Sequence, residues 1–389
     1  MINLPVSIGE GLDKLTILDI KMKKIKDERL NDVKKEYNIL NTQLQDYKNN
    51  NYFFYNILMN INENIWNMQD IFRETKSIER QNELCKNIIS ENDNRFRVKK
   101  KINNLTNSVL KEQKGYRETK AFIMGHWGMG DNILNIGLVR YISTLYDETT
   151  IVCLNIYKNN MIDIYKDDNS IKILSVNNAS DISPNAGYDL NKFKNFTSQF
   201  DKIYLLGMAD LDKKKINYNN LPFVFYESIN LIPNIFWEYF HIANLYKNQN
   251  SIDLYKKLQK YKFHFICNET RQSGNLFDIH SIINKLKIDK NKEIIICPNN
   301  NIYNKNDNFY ELANMFINLP LLYYVDTIIN SNNIVLSDAA FFCLSLQLKI
   351  KTNNCFYISR FTNKSYDYFY SNKYGFKNKY EFKKFKPFN

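Results

Sequence analysis

The chain contains no apolar run approaching the roughly 18–20 residues of a membrane span. Its first eleven residues also lack the basic and then apolar pattern of a secretion signal. We therefore expect a cytoplasmic protein without a transmembrane segment. The six cysteines (85, 153, 267, 297, 343 and 355) include no C-x-x-C pair, which speaks against a zinc site or a disulfide framework. Reduced core thiols are expected instead. With only four histidines and no H-E-x-x-H helix, no metal and no cofactor are expected. Glycine is also rare, at 11 in 389 residues, so three glycines at 125, 128 and 130 stand out.

What the chain does hold is 44% hydrophobic and 14% aromatic residues, enough to exclude wholesale disorder and to fill two or three cores. The formal charge of +12 invites a nucleic-acid reading. The joint abundance of Lys, Asn, Ile and Tyr fits the codon bias of an AT-rich genome, such as that of a large DNA virus or a protist, and gives lysine without a functional cause. A viral source would place the protein in the host cytoplasm. Part of the excess is local, since residues 363–389 hold seven Lys against two acids among Tyr and Phe. We read that tail as a solvated, partly packed terminal segment, and nucleic acid is not expected as a partner.

Three segments follow from the periodicity. Residues 1–115 read as helical. Leu30, Val33, Tyr37, Leu40, Leu44 and Tyr47 form a three-four seam, with Leu15, Leu18, Met22 and Ile25 one residue out of phase. An Asn-rich turn at 48–51 breaks the pattern, and helices are predicted over about 53–91 and 95–112. An antiparallel hairpin or coiled coil is the natural packing, and self-association is its expected task.

Residues 119–250 alternate strand and helix, with strands at 120–125, 150–154, 171–176 and 202–206 and helices at 132–146 and 157–166. Residues 258–389 repeat the style, with strands near 262–267, 293–297, 334–336 and 351–358, and a helix at 339–348. The expectation is an α/β protein with two tandem Rossmann-like domains after an all-helical N-terminal domain. Such an arrangement places a cleft at the strand ends, where nucleotide-type ligands bind.

Gly125-His126-Trp127-Gly128-Met129-Gly130-Asp131-Asn132 follows the first of these strands and opens a helix. Strand, glycine turn and helix make a pocket at a helix N-terminus. Asp131 is placed there either as a helix cap or as a group facing the pocket. As a general base it would deprotonate a hydroxyl brought close by Gly128 and Gly130, with His126 and Asn132 in the same acceptor-side loop. On the second α/β segment, Arg271, Ser273 and Gly274 can reach phosphate oxygens. Asn299 and Asn301 occupy the next polar loop. Ser337, Asp338 and Ala339 open the helix at 339–348, whose amides suit an anion.

Gly128-Met129-Gly130-Asp131 followed by Ile133, Leu134 and Leu138 resembles the N-terminal motif of heptosyltransferase-type glycosyltransferases of the GT-B fold. Val335-Leu336-Ser337-Asp338 is similar to that family's C-terminal donor segment. That segment normally reads Asp-Thr-Gly with a nearby His, where this chain has Asp338-Ala339-Ala340 and Phe341-Phe342-Cys343. The resemblance implies a nucleotide-sugar donor, a glycan or glycoconjugate acceptor, no metal, and Asp131 as base. The departure in the donor segment speaks against heptose as the sugar. Separately, residues 7–15 and 92–99 resemble a bacterial helical family without assigned activity. The competing reading is a non-catalytic nucleotide- or glycan-binding scaffold whose helices recruit partners. Asp210-Leu211-Asp212 offers a metal-binding Asp-x-Asp, which the tandem Rossmann pattern opposes.

Overall fold

The structure is a computed structural model that describes residues 4–115, 117–210, 223–270, 274–358 and 383–384. Arg271, Ser273, Asp212 and nearly all of the basic tail lie outside the described residues. The N-terminal region is all helical: α1 (Ile8–Lys24), α2 (Leu30–Asn50), α3 (Tyr52–Glu74) and α4 (Ile78–Leu105). Leu12 and Leu15 of α1 pack with Ile57, Leu58 and Ile61 of α3 and with Val98 and Ile102 of α4. The two out-of-phase seams prove to be two separate helices, α1 and α2.

Two boundaries differ from expectation. The chain breaks at 75–77, where the Ser77 hydroxyl accepts the Arg80 amide as an N-cap, and α4 then runs unbroken through 91–95. Ser is a strong capping residue, and the apolar spacing alone did not weigh it. Helix α4 also stops early. Asn107 takes a left-handed φ of 49°, and Val109, expected on the seam, is 97% exposed.

The first α/β region has four parallel strands, β1 (Lys120–Met124), β2 (Glu148–Leu154), β3 (Ile171–Val176) and β4 (Lys202–Leu205), in the order β3-β2-β1-β4. Helices α5 (Met129–Leu134), α6 (Ile136–Leu145), α7 (Lys158–Tyr165) and α8 (Leu190–Thr197) connect them. Short helices α9 (Val224–Glu227) and α10 (Ile235–Glu238) lead to α11 (Gln249–Leu258).

The second sheet begins with β5 (Phe263–Cys267), followed by a small antiparallel pair, β6 (Glu269–Thr270) and β7 (Asn275–Leu276), and by α12 (Ile279–Lys285). Then come β8 (Ile294–Ile296), α13 (Tyr310–Asn314), α14 (Val325–Asn330), β9 (Ile334–Ser337), α15 (Ala340–Ser345), β10 (Cys355–Ile358) and β11 (Lys383–Lys384). Its order is β11-β10-β9-β5-β8, parallel throughout.

The helix expected over 132–146 is two helices because of one side chain. The Tyr226 hydroxyl donates to Leu134 O at 2.9 Å and accepts from Leu138 N at 3.1 Å. It stands where the i to i−4 helical bond would otherwise close, an insertion of the kind that kinks helices. The two sheets also share one apolar core. A single cluster runs from Ala121 and Ile133 through Phe223, Phe225 and Phe236 to Phe265 and Leu336. The described residues contain no helix long and apolar enough to cross a membrane.

Candidate functional site

The cleft between the two sheets has a volume of about 210 Å³ and is walled by loops that leave the C-terminal ends of β1, β2, β5, β8 and β9. In the second sheet the order reverses between β5 and β9, and Cys267 at the end of β5, Glu269 just beyond it and Asp338 after β9 line the cleft. Crevices at such reversal points are where open α/β sheets bind ligands.

Gly128, Gly130 and Asp131 form the first wall. Gly128 is the N-cap of α5, with φ −72° and ψ 146°, so Asp131 sits in the first turn and is not the cap. Its side chain is 26% exposed. Gly130 has a different neighbour from the one its sequence context suggests. A Cβ there would lie 3.3 Å from Cys343 Sγ and 3.5 Å from Ala339 C and Ala340 N. The missing side chain thus lets α5 press against α15 across the cleft floor.

His126 and Asn132 do not line the cleft. The Asn132 amide donates to Gly128 O at 2.9 Å and holds the loop in shape. His126 is 7% exposed and lies behind the loop, edge-on to Phe225 at 4.7 Å. Its Nδ1 is 3.8 Å from Asp131 Oδ2. Burial lowers its pKa to about 4, so the ring is neutral near pH 7. Gly207 makes room for it. At φ +58° the backbone suits glycine, and a Cβ there would stand 2.5 Å from His126 Nε2.

On the second wall, Asn299, Asp338 and Ala339 line the cleft as expected. Ser337 does not: its hydroxyl donates to Glu269 O at 2.7 Å and ties the loop after β5 to β9. Asn301 is spent on its own loop, donating to Tyr310 O at 3.0 Å and accepting from Tyr303 N at 3.1 Å. Gly274 has φ +68°, at the turn that precedes β7, outside the cleft lining. Burial pushes the Cys267 thiol up to about 12, so it is an inert wall residue.

Several lining residues were not singled out in the sequence. Glu269 and Thr270 form β6, just beyond β5, in a segment noticed for other members. Tyr157 and Asn160 come from the return after β2, where position after a strand is the usable signal. Asn160 Oδ1 accepts Leu321 N at 3.0 Å and closes one edge of the cleft between the two sheets. Tyr324, which belongs to no motif, meets Phe341 edge-on at 5.1 Å. The charged side chains among the described lining residues are Asp131, Glu269 and Asp338, all acidic. No group of three His, Cys, Asp or Glu among the described residues is arranged to hold a metal ion.

Residues 2–124 match a family of unknown function (DUF6165), a span that covers α1–α4 and runs into β1. No curated protein and no solved structure matches the chain.

Proposed function

We propose that the chain is a sugar transferase with two Rossmann-like domains of the GT-B type, taking a nucleotide-sugar donor and an acceptor hydroxyl. The observation that carries this reading is the placement of Asp131 and Asp338-Ala339, from different sheets, on the walls of one cleft. The strand orders support it, since both sheets are parallel and both present their C-terminal loops to that cleft.

In the reaction the Asp131 carboxylate takes the hydroxyl proton as the acceptor oxygen attacks the anomeric carbon. The carbon–oxygen bond to the diphosphate breaks, its electron pair leaves with the diphosphate, and configuration inverts. No metal is invoked. The described lining residues include three carboxylates, and we assign the positive charge for the diphosphate to Arg271, next in sequence to the lining residue Thr270.

The test is Asp131→Asn, assayed for transfer against a panel of nucleotide sugars. Turnover should fall about 10²–10⁴-fold, with nucleoside diphosphate affinity retained. A wild type that binds no nucleotide sugar, or an Asp131→Asn protein with undiminished turnover, would sink the proposal. The first outcome would favour a non-catalytic scaffold.

A further inference from the structure

At the opposite end of the first sheet lies a second pocket of about 200 Å³, between α4 and the starts of β2 and β3. Strand β2 spans seven residues. At 3.3 Å per residue the two pockets therefore stand about 20 Å apart, and a ligand in one does not touch the other.

The cations of this second pocket are not equally engaged. Lys101 is fully engaged, donating to both Asp168 oxygens at 2.8 and 2.9 Å and to Ser170 Oγ. Arg97 is not. Its side chain is 9% exposed, yet its Nε has no hydrogen-bond partner among the described residues. The nearest acid, Asp147 Oδ2, is 3.6 Å from that Nε and already accepts Thr119 N and Oγ1 at 2.9 and 3.1 Å. Nη1 makes only a long 3.4 Å bond to Asn94 Oδ1. A buried donor left unmatched is costly unless a ligand matches it.

The remaining acids of the lining have partners of their own. Glu118 takes Lys100 at 3.0 Å, and Glu148 takes Lys120 at 3.5 Å. Lys172 stands exposed at the rim. Among the described lining cations, Arg97 Nε and Lys172 are the groups without a hydrogen-bond partner.

We propose that this pocket is a second ligand site, for a small phosphate-bearing anion. Arg97 meets it from the floor with a guanidinium edge, and Lys172 meets it from the rim as a point charge. The site joins the two regions of the chain, because its floor belongs to α4 and its opposite wall to the first sheet.

Isothermal titration of the full chain tests the assignment, with inorganic phosphate and, in a second arm, a sugar phosphate, against chloride at matched ionic strength. Saturable binding is expected in the wild type, weakened about tenfold or more in Lys172→Glu and in Arg97→Gln. Lys172→Glu should melt at the wild-type temperature without ligand, which separates lost binding from lost folding. Tighter binding of the sugar phosphate would assign the site to a phosphate monoester, and equal binding to phosphate itself. The absence of saturable binding to the wild type overturns the proposal. Binding that Lys172→Glu leaves unchanged overturns it as well, since the anion would then sit elsewhere.

Discussion

Two short motifs in this chain look alike in sequence and differ in the structure. In the helical region, residues 7–15 and 92–99 lie side by side and are joined by Lys99–Glu10 and by bridging polar side chains of α3 and α4. Gly9 N donates to Asn103 Oδ1 at 2.7 Å, and Lys99 pairs with Glu10 at 2.7 Å and Glu112 at 2.6 Å. The Asn62 amide donates to Asp13 at 2.8 Å and accepts from Arg95 at 3.2 Å. In the α/β region, Gly128-Met129-Gly130-Asp131 borders a cleft instead. Glycines and charged residues at close spacing mark both places. The first motif's polar atoms pair across helices and the second motif lines a cavity, which is what separates a structural motif from a candidate site.

The two regions meet through buried charge, and breaking that joint should give the largest effect. Lys101 of α4 is 4% exposed, and its partner Asp168 side chain is fully buried. Burial alone would raise the Asp168 carboxyl, but Lys101 and Arg140 beside it outweigh that and hold it below its usual value. Arg140 continues the chain to Asp167 at 2.6 Å, and His241 Nε2 reaches Asp167 at 2.9 Å. The His241 ring stacks on Phe53 of α3 at 4.3 Å. Lys101→Met strands a buried carboxylate and should cost about 3–5 kcal/mol in urea unfolding. Lys101→Met with Asp168→Leu should recover much of that loss. A single-variant cost near zero would mean that the helical region is only loosely appended.

How far each region was legible in the sequence follows from the same contrast. The strands of both sheets other than β11 were readable because buried parallel strands are short apolar runs bounded by polar loops, whereas β11, Lys383–Lys384, has no apolar run to mark it. Asp338 was readable because it directly follows such a run, Asn299 because it lies in the polar loop after one, and Asp131 because a glycine turn leads from one into a helix. Tyr226 splitting α5 from α6 was not, since the insertion depends on a residue some 90 positions away in sequence. Gly130 was noticed, but the surface it approaches, Ala339 and Ala340, comes from the other sheet. The joint of Lys101, Asp168 and Arg140 left no local signal. Each residue alone reads as a surface charge, and only the packing of α4 on α6 buries them together.

The next effect separates the regions by pH. The four histidines, at 126, 241, 264 and 280, all lie in the α/β region. His126 is held neutral by burial, its pKa lowered from 6.5 to about 4. Below pH 6.5 the unfolded chain takes up a proton there that the folded chain does not. Stability from this group is therefore complete above 6.5 and declines as pH falls to about 4. That difference corresponds to roughly 3 kcal/mol. Burial shifts His241 and His264 in the same direction, so His126→Gln should remove its own share of the decline and leave theirs. Asp13 in the helical region acts oppositely. Burial raises its carboxyl, so protonation as pH falls favours the folded state there. Hydrogen exchange followed from pH 7 to 4 should show the α/β amides losing protection before the helical ones. The reverse order would refute the assignment.

The smallest change tests the helical side alone. Gly9 lies in the first turn of α1, where a Cβ would stand 2.7 Å from Lys99 O and 2.9 Å from Asn103 Oδ1. Gly9→Ala adds helix propensity, yet the contact is with backbone on one side and with its own hydrogen-bond partner on the other. Neither yields cheaply, so overpacking should prevail and destabilise by about 1–3 kcal/mol. Gly115 is the control, because a Cβ there meets nothing within 4 Å. Thermal unfolding of Gly9→Ala and Gly115→Ala side by side decides between the two effects. A stabilised Gly9→Ala would mean that α1 and α4 are not held as close as the hydrogen bond from Gly9 N to Asn103 Oδ1 requires.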